Sequence, residues 1–235
     1  MVMLATGVVA TSCGGDEKNP QPVRDSPVAD TGMNTAVAAE GPAARGKRIV
    51  LFLGTSLTAG LGLDPDSAYP QRLQRKIDEA GLPYRSVNAG VSGETSAGLL
   101  RRLDWVLQDP AAVIVVETGA NDGLRGQAVA GTRATIGTIL TRIKKERPEA
   151  RVVLVQMEAP TNLGGEYTRA FHAMFPELAS EHGVMLMPFL LDGVAGRGAM
   201  NQGDGVHPND AGERIVTDNV WRTIGPMLKA APAIP

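Results

Sequence analysis

The stretch Arg48–Gly60 reads RIVLFLGTSLTAG, an unbroken apolar run that ends in a turn of small residues. An apolar run without polar alternation is typical of a strand that is buried on both faces of a parallel sheet. Ser56 lies just beyond this strand, and ligands of parallel sheets bind beyond the carboxyl ends of the strands. The serine is therefore either an ordinary turn residue or a reactive group held where a substrate can reach it.

Four more strand patterns follow along the chain, and helical patterns separate them. This alternation predicts an α/β fold in three α/β/α layers, with a parallel five-stranded sheet, right-handed crossovers and helices on both faces. The predicted strands span Arg48–Leu53, Tyr84–Asn88, Ala112–Glu117, Arg151–Gln156 and Val184–Met187. The predicted helices span Tyr69–Ala80, Thr95–Leu107, Gln127–Arg147, Glu166–His182 and Asn209–Lys229, the last with Asn209 or Asp210 as its N-cap.

The composition is that of a globular protein preceded by a tether. The chain has 235 residues and a formal net charge of −2, and it contains no block of Lys and Arg, which argues against a nucleic-acid partner. Residues 16–46 contain no Leu, Ile, Phe, Tyr or Trp, so they cannot bury enough apolar surface to offset the entropy cost of ordering. We therefore expect a disordered tether over residues 13–46 and a single folded domain over residues 47–235.

Cys13 is the only cysteine in the chain, so no internal disulfide is expected. It follows MVMLATGVVATS, an apolar run that ends in small residues and is too short to span a membrane. This pattern is similar to a bacterial lipoprotein signal, in which residues 1–12 are removed and the cysteine is acylated. The interpretation predicts a periplasmic protein tethered to a bacterial membrane through lipidated Cys13. The alternative is an incidental cysteine in a disordered N-terminus.

Three later loops carry groups that complement Ser56. NAGVSGET follows the second predicted strand and contains Gly93, whereas TGANDG follows the third and contains Asn121. GDGVHPND precedes the last predicted helix and contains Asp204 and His207. We expect these loops to meet Ser56 at one edge of the sheet.

These residue types match the requirements of acyl transfer. A serine hydroxyl needs a base within hydrogen-bond reach, and a histidine held by a carboxylate suits that role near neutral pH. The three-residue spacing lets Asp204 fold its carboxylate back onto Nδ1 of His207. The oxyanion of a tetrahedral intermediate needs N–H donors, which the backbone amides of Ser56 and Gly93 and the side chain of Asn121 offer.

The segments GTSLTAG, NAGVSGETSAG, ETGANDGLRG and DGVHPND resemble the four sequence blocks of the SGNH (GDSL) hydrolase family. The resemblance is closest to the bacterial periplasmic thioesterase, lysophospholipase and arylesterase branch, and it runs from about Lys47 to Lys229. It implies a flavodoxin-like sheet, hydrolysis of small-molecule esters and thioesters, and a catalytic triad of Ser56, Asp204 and His207. It also implies that no metal and no cofactor is needed, and we expect a monomer.

By the same resemblance, Gly93 and Asn121 are oxyanion donors. The family motif reads Gly-Asp-Ser, whereas Thr55 stands here in place of the aspartate. That aspartate is not a member of the triad, so we expect an active enzyme with a somewhat altered nucleophile loop. The Thr55 hydroxyl can bond a nearby backbone group, but it brings no charge.

The acyl group of the substrate is expected in a shallow groove. Its candidate wall residues follow the third and fourth predicted strands and are Leu124, Arg125, Met157, Pro160 and Leu163. The other two histidines, His172 and His182, lack a partner at suitable spacing and are expected to be structural. Glu94 and Glu117 flank the site loops and are expected to anchor them.

Two rival functions remain open from the sequence. The same machinery serves carbohydrate esterases that remove acetyl groups from glycans, so the fold does not separate them from acyl-chain hydrolases. Alternatively, Thr55 marks a decayed site, and the chain is a tethered binding module without activity. Taken singly, each site residue also has an ordinary structural explanation, but their joint occurrence after successive elements favours an enzyme.

Overall fold

A parallel five-stranded sheet forms the centre of residues 46–230, the part of the chain that the computed structural model describes. The strands are β1 (Arg48–Gly54), β2 (Tyr84–Gly90), β3 (Ala111–Val116), β4 (Arg151–Val155) and β5 (Met185–Met187). They lie in the order β2-β1-β3-β4-β5, and every neighbouring pair is parallel. This order is the flavodoxin-like one that the family resemblance implies.

Helices cover both faces of the sheet. The chain moves one way along the sheet from β1 to β2 and the other way afterwards, so right-handed crossovers put the second helix on the opposite face from the third, fifth and sixth. The helices are α1 (Ser56–Ala59), α2 (Tyr69–Glu79), α3 (Ser96–Val106), α4 (Ala120–Leu124), α5 (Val129–Glu146), α6 (Gly165–His182) and α7 (Asp210–Lys229). Consistent with these crossovers, α2 packs against α7, whereas α5 packs against both α3 and α6.

The two central strands are buried because their side chains are apolar on both faces. Val50, Phe52 and Leu53 in β1 and residues 113–116 in β3 are 0% exposed. Burial of each such side chain contributes about 1.5–3 kcal/mol. The loops that follow these strands therefore start from a rigid platform.

The direction of chain connection reverses between β1 and β3. The chain leaves β1 toward one face and leaves β3 toward the other, so a crevice opens between their carboxyl ends. Helix α1 starts just after β1, and α4 starts just after β3. The crevice therefore lies between the two short helices that carry Ser56 and Asn121.

The sequence predicted all five strands and the five long helices, with ends within two residues of those observed. Helices α1 and α4 were not predicted, because at four and five residues they are too short to show a helical period. The predicted signal segment 1–12 with its neighbour Cys13, and the predicted tether up to residue 45, lie outside the described residues. Among residues 46–230, none of the helices has the length and hydropathy needed to cross a membrane.

One carboxyl group is buried between α2 and α7, away from the strand ends. Glu213 is 1% exposed and accepts a hydrogen bond from the backbone N–H of Tyr69. Its Oε2 has no hydrogen-bond partner within the described part of the chain. Desolvation raises the pKa of Glu213 to about 8, although the Tyr69 N–H and the charge of Arg72 oppose the shift. The folded protein therefore holds Glu213 in its neutral form at neutral pH.

The substitution Glu213→Gln tests this protonation state. A glutamate ionises near pH 4.5 when unfolded but only near pH 8 here, so folding takes up a proton between these values and stability falls as pH rises through this window. Glutamine is isosteric and always neutral. We expect Glu213→Gln to match the parent Tm near about pH 4 and to exceed it by at least about 3 °C near about pH 9. Thermal melts at both pH values measure this, and a Tm difference that does not change with pH would contradict it.

Candidate active site

Ser56, His207 and Asp204 form a continuous hydrogen-bonded chain at the carboxyl end of the sheet. Nε2 of His207 lies 2.8 Å from Oγ of Ser56, and Nδ1 lies 2.7 Å from Oδ2 of Asp204. Both distances are typical of hydrogen bonds. Ser56 is 8% exposed and the His207 side chain 19% exposed, so the pair is sheltered but still within reach of a ligand.

The Asp204 carboxylate is held by its own turn. Its Oδ1 accepts hydrogen bonds from the backbone N–H groups of Val206 at 2.9 Å and His207 at 3.0 Å. Gly205 has a φ of 71°, which allows the chain to fold back this tightly. The His207 N–H, then the His207 ring and the Val206 N–H, lower the pKa of Asp204 to about 2. The carboxylate is therefore ionised and can hold the imidazole with its proton on Nδ1.

Gln202 ties the loop of His207 to the segment that follows Ser56. Its side-chain amide donates to the carbonyl of Leu61 at 2.7 Å and to the carbonyl of Pro208 at 2.9 Å. Its backbone N–H donates to the carbonyl of His207 at 2.8 Å. Sequence reasoning missed this residue, because a single glutamine in a loop belongs to no motif.

A buried glutamate fixes the turn that presents Ser56. Glu117 directly follows β3 and is 0% exposed, and its Oε2 accepts the backbone N–H of Thr55 at 2.6 Å and the hydroxyl of Thr58 at 3.0 Å. The Thr55 hydroxyl donates to the same carboxylate at 3.0 Å. A glycine is needed at position 54, because a Cβ there would lie 1.9 Å from Oγ1 of Thr58 and 2.7 Å from Oε2 of Glu117.

The network around Glu117 extends into α2. The hydroxyl of Tyr69 lies 2.8 Å from that of Thr58, and burial raises the pKa of Tyr69 well above its ordinary value, so the phenol keeps its proton. Desolvation raises the pKa of Glu117, while the hydrogen bonds from Thr55 and Thr58 oppose the shift. Glu117 thus makes the anchoring contacts expected of it. The acceptor of the Thr55 hydroxyl is this carboxylate and not a backbone group.

Gly93 and Asn121 line the same cavity as Ser56. Asn121 uses Nδ2 to donate to the carbonyl of Glu94 at 2.9 Å, which leaves its second Nδ2 hydrogen for a ligand. Gly93 has a φ of 76°, and its N–H has no backbone acceptor within residues 46–230. The N–H of Ser56 lies in the first turn of α1, where helical amides lack intrahelical acceptors. The cavity therefore contains donors suited to an oxyanion.

Asp122 couples the two loops that carry these donors. It is 1% exposed, and its carboxylate accepts the backbone N–H of Ser96 at 2.9 Å and the hydroxyl of Ser96 at 2.6 Å. These bonds join the start of α3, which follows the Gly93 loop, to α4, which carries Asn121. Sequence reasoning also missed Asp122.

A cavity of about 540 Å³ opens beside Ser56, a size usual for small-molecule sites. We call it the acyl cavity. The side chains of its wall are mostly apolar and include Leu57, Leu61, Leu124, Met157, Pro160, Phe189, Leu191 and Val206. Three of them, Leu61, Leu124 and Val206, are exposed. The cavity is therefore suited to an apolar substituent that starts at Ser56.

Three of the five predicted wall residues line the acyl cavity, and two do not. Leu124, Met157 and Pro160 line the acyl cavity, whereas the structure places Arg125 and Leu163 outside it. Arg125 lines a separate depression and donates to the carbonyl of Gly93 at 2.9 Å, and Leu163 packs against the core. Arg125 points away from the cavity because Leu124 ends α4, and the side chains of consecutive residues at a helix end point in directions about 100° apart.

Neither of the two remaining histidines lines the acyl cavity, although Glu158, the partner of His172, does. Nδ1 of His172 lies 2.7 Å from Oε1 of Glu158 at an exposed position, and His182 ends α6. Within residues 46–230, no group of three or more His, Cys, Asp or Glu side chains is arranged to hold a metal ion. The chemistry available at the described site is that of a serine hydroxyl bonded to an imidazole, next to N–H donors and an apolar cavity.

Comparison with known proteins gives a family model whose match includes all of these loops. A family model described as the GDSL-like Lipase/Acylhydrolase family matches residues 52–215. The esterase TesA of Pseudomonas aeruginosa is 38% identical over 180 residues, which cover 76% of this chain and 89% of that protein. The thioesterase 1/protease 1/lysophospholipase L1 of Escherichia coli is 36% identical over 180 residues, which cover 76% of this chain and 84% of that protein.

A solved structure has the same fold. The crystal structure of the psychrotrophic esterase EstA from Pseudoalteromonas sp., inhibited by monoethylphosphonate, is 31% identical in sequence and superposes with a TM-score of 0.74. The match covers 78% of this chain and all of that one.

Two substitutions at Thr55 test the role of the buried carboxylate. Thr55→Val removes a hydroxyl and leaves Glu117 without one donor, which costs about 1–3 kcal/mol, so we expect Tm to fall by about 3–10 °C. Thr55→Ser keeps the hydroxyl, and we expect its Tm and kcat to stay near those of the parent. Thermal melts together with kcat on a short ester measure both effects. Equal melting of the Val and Ser variants would show that the Thr55 hydroxyl does not stabilise the turn.

Proposed function

The chain belongs to the GDSL-like lipase/acylhydrolase family, and we propose that, as an ester-bond hydrolase, it cleaves carboxylic esters and thioesters through an acyl-enzyme on Ser56. The observation that carries the assignment of roles is the 2.8 Å contact between Oγ of Ser56 and Nε2 of His207. The roles of nucleophile, base and orienting carboxylate then go to Ser56, His207 and Asp204.

In the first half-reaction, Nε2 of His207 takes the hydroxyl proton as Oγ of Ser56 attacks the carbonyl carbon of the substrate. A new C–O bond forms, and the carbonyl electron pair moves onto oxygen. The C–O or C–S bond to the leaving group then breaks, and His207 gives its proton to that group. In the second half-reaction His207 takes a proton from a water molecule as the water oxygen attacks the carbonyl carbon of the acyl-enzyme. The bond from that carbon to Oγ of Ser56 then breaks, and His207 gives the proton back to Oγ, which releases the carboxylic acid and free Ser56. Asp204 stays ionised and stabilises the imidazolium that forms in each half.

The negative oxygen of each tetrahedral intermediate needs donors that are already in place. We assign this role to the N–H groups of Ser56 and Gly93 and to Nδ2 of Asn121, which line the acyl cavity. Loss of one such donor typically lowers kcat about 100- to 1000-fold. The hydrogen bonds made by Asp122 and by the carbonyl of Glu94 support the assignment, because they restrict the motion of these donors.

We propose that the acyl part of the substrate lies in the acyl cavity, against Leu124, Met157 and Pro160. The acyl part of an acetylated sugar is only an acetyl group, which would fill little of this apolar cavity, whereas a longer acyl chain would bury more apolar surface there. This supports arylesterase, acyl-thioesterase or lysophospholipase-like activity over removal of acetyl groups from carbohydrates. A panel of p-nitrophenyl esters of increasing chain length, compared with acetylated sugars, separates the two activities. Faster turnover of acetylated sugars would favour the carbohydrate esterase.

We also propose that the folded domain, residues 47–235, is exported and held at a bacterial membrane from the periplasmic side. The support is the sequence pattern alone: the apolar run before Cys13 and the tether composition of residues 13–46. Mass spectrometry of the protein from membranes of the producing cell tests this proposal. A protein that still carries Met1 and an unmodified Cys13 would exclude the anchor.

The substitution Ser56→Ala tests the nucleophile. We expect the variant to lose hydrolysis of a short p-nitrophenyl ester by at least about 1000-fold and to lose labelling by a fluorophosphonate probe. The exposed Ser180 on α6 offers a matched control, and Ser180→Ala should react like the parent. Activity retained in Ser56→Ala would assign the nucleophile to another residue. A parent protein that folds but takes no label would instead favour the binding module without activity.

A further inference from the structure

A second depression, of about 420 Å³, adjoins the acyl cavity at Gly93, which lines both. We call it the arginine depression and define it by Gly93, Glu94, Arg101, Arg102 and Arg125. The wall of the arginine depression contains three cationic side chains, whereas the wall of the acyl cavity is mostly apolar. The two spaces therefore favour different chemical groups on the two sides of Gly93.

Only one of its arginines is neutralised by a carboxylate. Arg102 pairs with Glu94 through Nε at 2.7 Å and Nη2 at 2.6 Å. Arg125 donates only to the Gly93 carbonyl, which does not cancel its charge. Arg101 is exposed, and its side chain makes neither an ion pair nor a hydrogen bond within residues 46–230. Two guanidinium groups therefore face the arginine depression without a carboxylate partner from the described part of the chain.

The arginine depression starts where the scissile bond would lie. With the carbonyl oxygen at the Gly93 N–H and the acyl chain in the acyl cavity, the leaving group must take another path. Nη2 of Arg125 lies 4.0 Å from the position that a Cβ on Gly93 would occupy. An anionic group a few bonds beyond the scissile oxygen or sulfur would therefore come within reach of the guanidinium groups.

We propose that Arg101 and Arg125 bind a phosphate group on the alcohol or thiol side of the substrate, and that they make the enzyme selective for esters and thioesters with a phosphorylated leaving group. This inference rests on the proposed function. A guanidinium group is planar and pairs with phosphate oxygens through two N–H donors, which suits it to this role. Arg125 also holds the Gly93 carbonyl, so its loss would disturb every substrate. Arg101 is therefore the residue that isolates selectivity.

Two matched substrate pairs test the inference in the full chain. The first pair is 1-octanoylglycerol 3-phosphate and 1-octanoylglycerol, which differ only in the phosphate. The second is octanoyl-coenzyme A and the octanoyl thioester of N-acetylcysteamine, which differ in the phosphorylated part of the thiol. The pair that shows selectivity identifies whether the phosphate belongs to a glycerol ester or to a nucleotide-bearing thioester.

The measured quantity is the ratio of kcat/KM within a pair, so that a general loss of activity cancels. We expect the parent to prefer the phosphorylated member of at least one pair by about tenfold at low salt, and to lose most of this preference at about 0.5 M salt. Arg101→Glu should abolish or invert the ratio. Arg75→Ala, which removes an exposed arginine on α2 outside both cavities, should leave it unchanged.

Two results would overturn the inference while leaving the hydrolase intact. One is equal kcat/KM for both members of both pairs in the parent, and the other is a preference that survives in Arg101→Glu. If the parent hydrolyses neither pair and no p-nitrophenyl ester, the proposed function fails together with this inference.

Discussion

The contact between the hydroxyl of Ser56 and Nε2 of His207 joins residues that are 151 positions apart in the chain. A serine hydroxyl is a weak nucleophile unless a base lies within hydrogen-bond reach, so the other features of the site matter only while they maintain this contact. Glu117 fixes the turn that carries Ser56, and Asp204 and Gln202 fix the ring and the loop of His207. Misplacement of a reacting group by about 1 Å can cost about 100-fold in rate, which explains why both sides are tied by several hydrogen bonds.

The nucleophile turn depends on a carboxylate that has no access to water. A buried carboxylate is costly unless donors surround it, and here Thr55 and Thr58 provide them through one backbone N–H and two hydroxyl groups. The departure from the Gly-Asp-Ser motif is consistent with this arrangement, because a threonine hydroxyl donates to Glu117. An aspartate at position 55 would have to turn away from Glu117 or hold a proton, since two ionised carboxylates repel each other in a dry environment. The threonine thus acts as a structural partner of the turn, and its presence is no sign of a decayed site.

How far apart two interacting residues lie along the chain decides whether their interaction could be predicted from the sequence. Apolar runs and capping residues act locally, so they located the strands and long helices. The grouping of Ser56, Gly93, Asn121, Asp204 and His207 was predictable because parallel strands bring their carboxyl ends to one edge of the sheet. The bond from Gln202 to the Leu61 carbonyl spans 141 residues and leaves no local pattern. The separation of Leu124 from Arg125 depends on α4, which is too short to be recognised from its sequence.

The most direct test of the Ser56–His207 contact is to trap the acyl-enzyme that it should produce. The full chain is mixed with a p-nitrophenyl ester, quenched in acid during turnover and digested, and the peptides are mapped by mass spectrometry. We expect the acyl group on the peptide that contains Ser56 and no accumulation in a His207→Ala variant, since the hydroxyl then lacks its base. An acyl group on a different residue, or an equal yield on Ser56 in the variant, would contradict the role assigned to this contact.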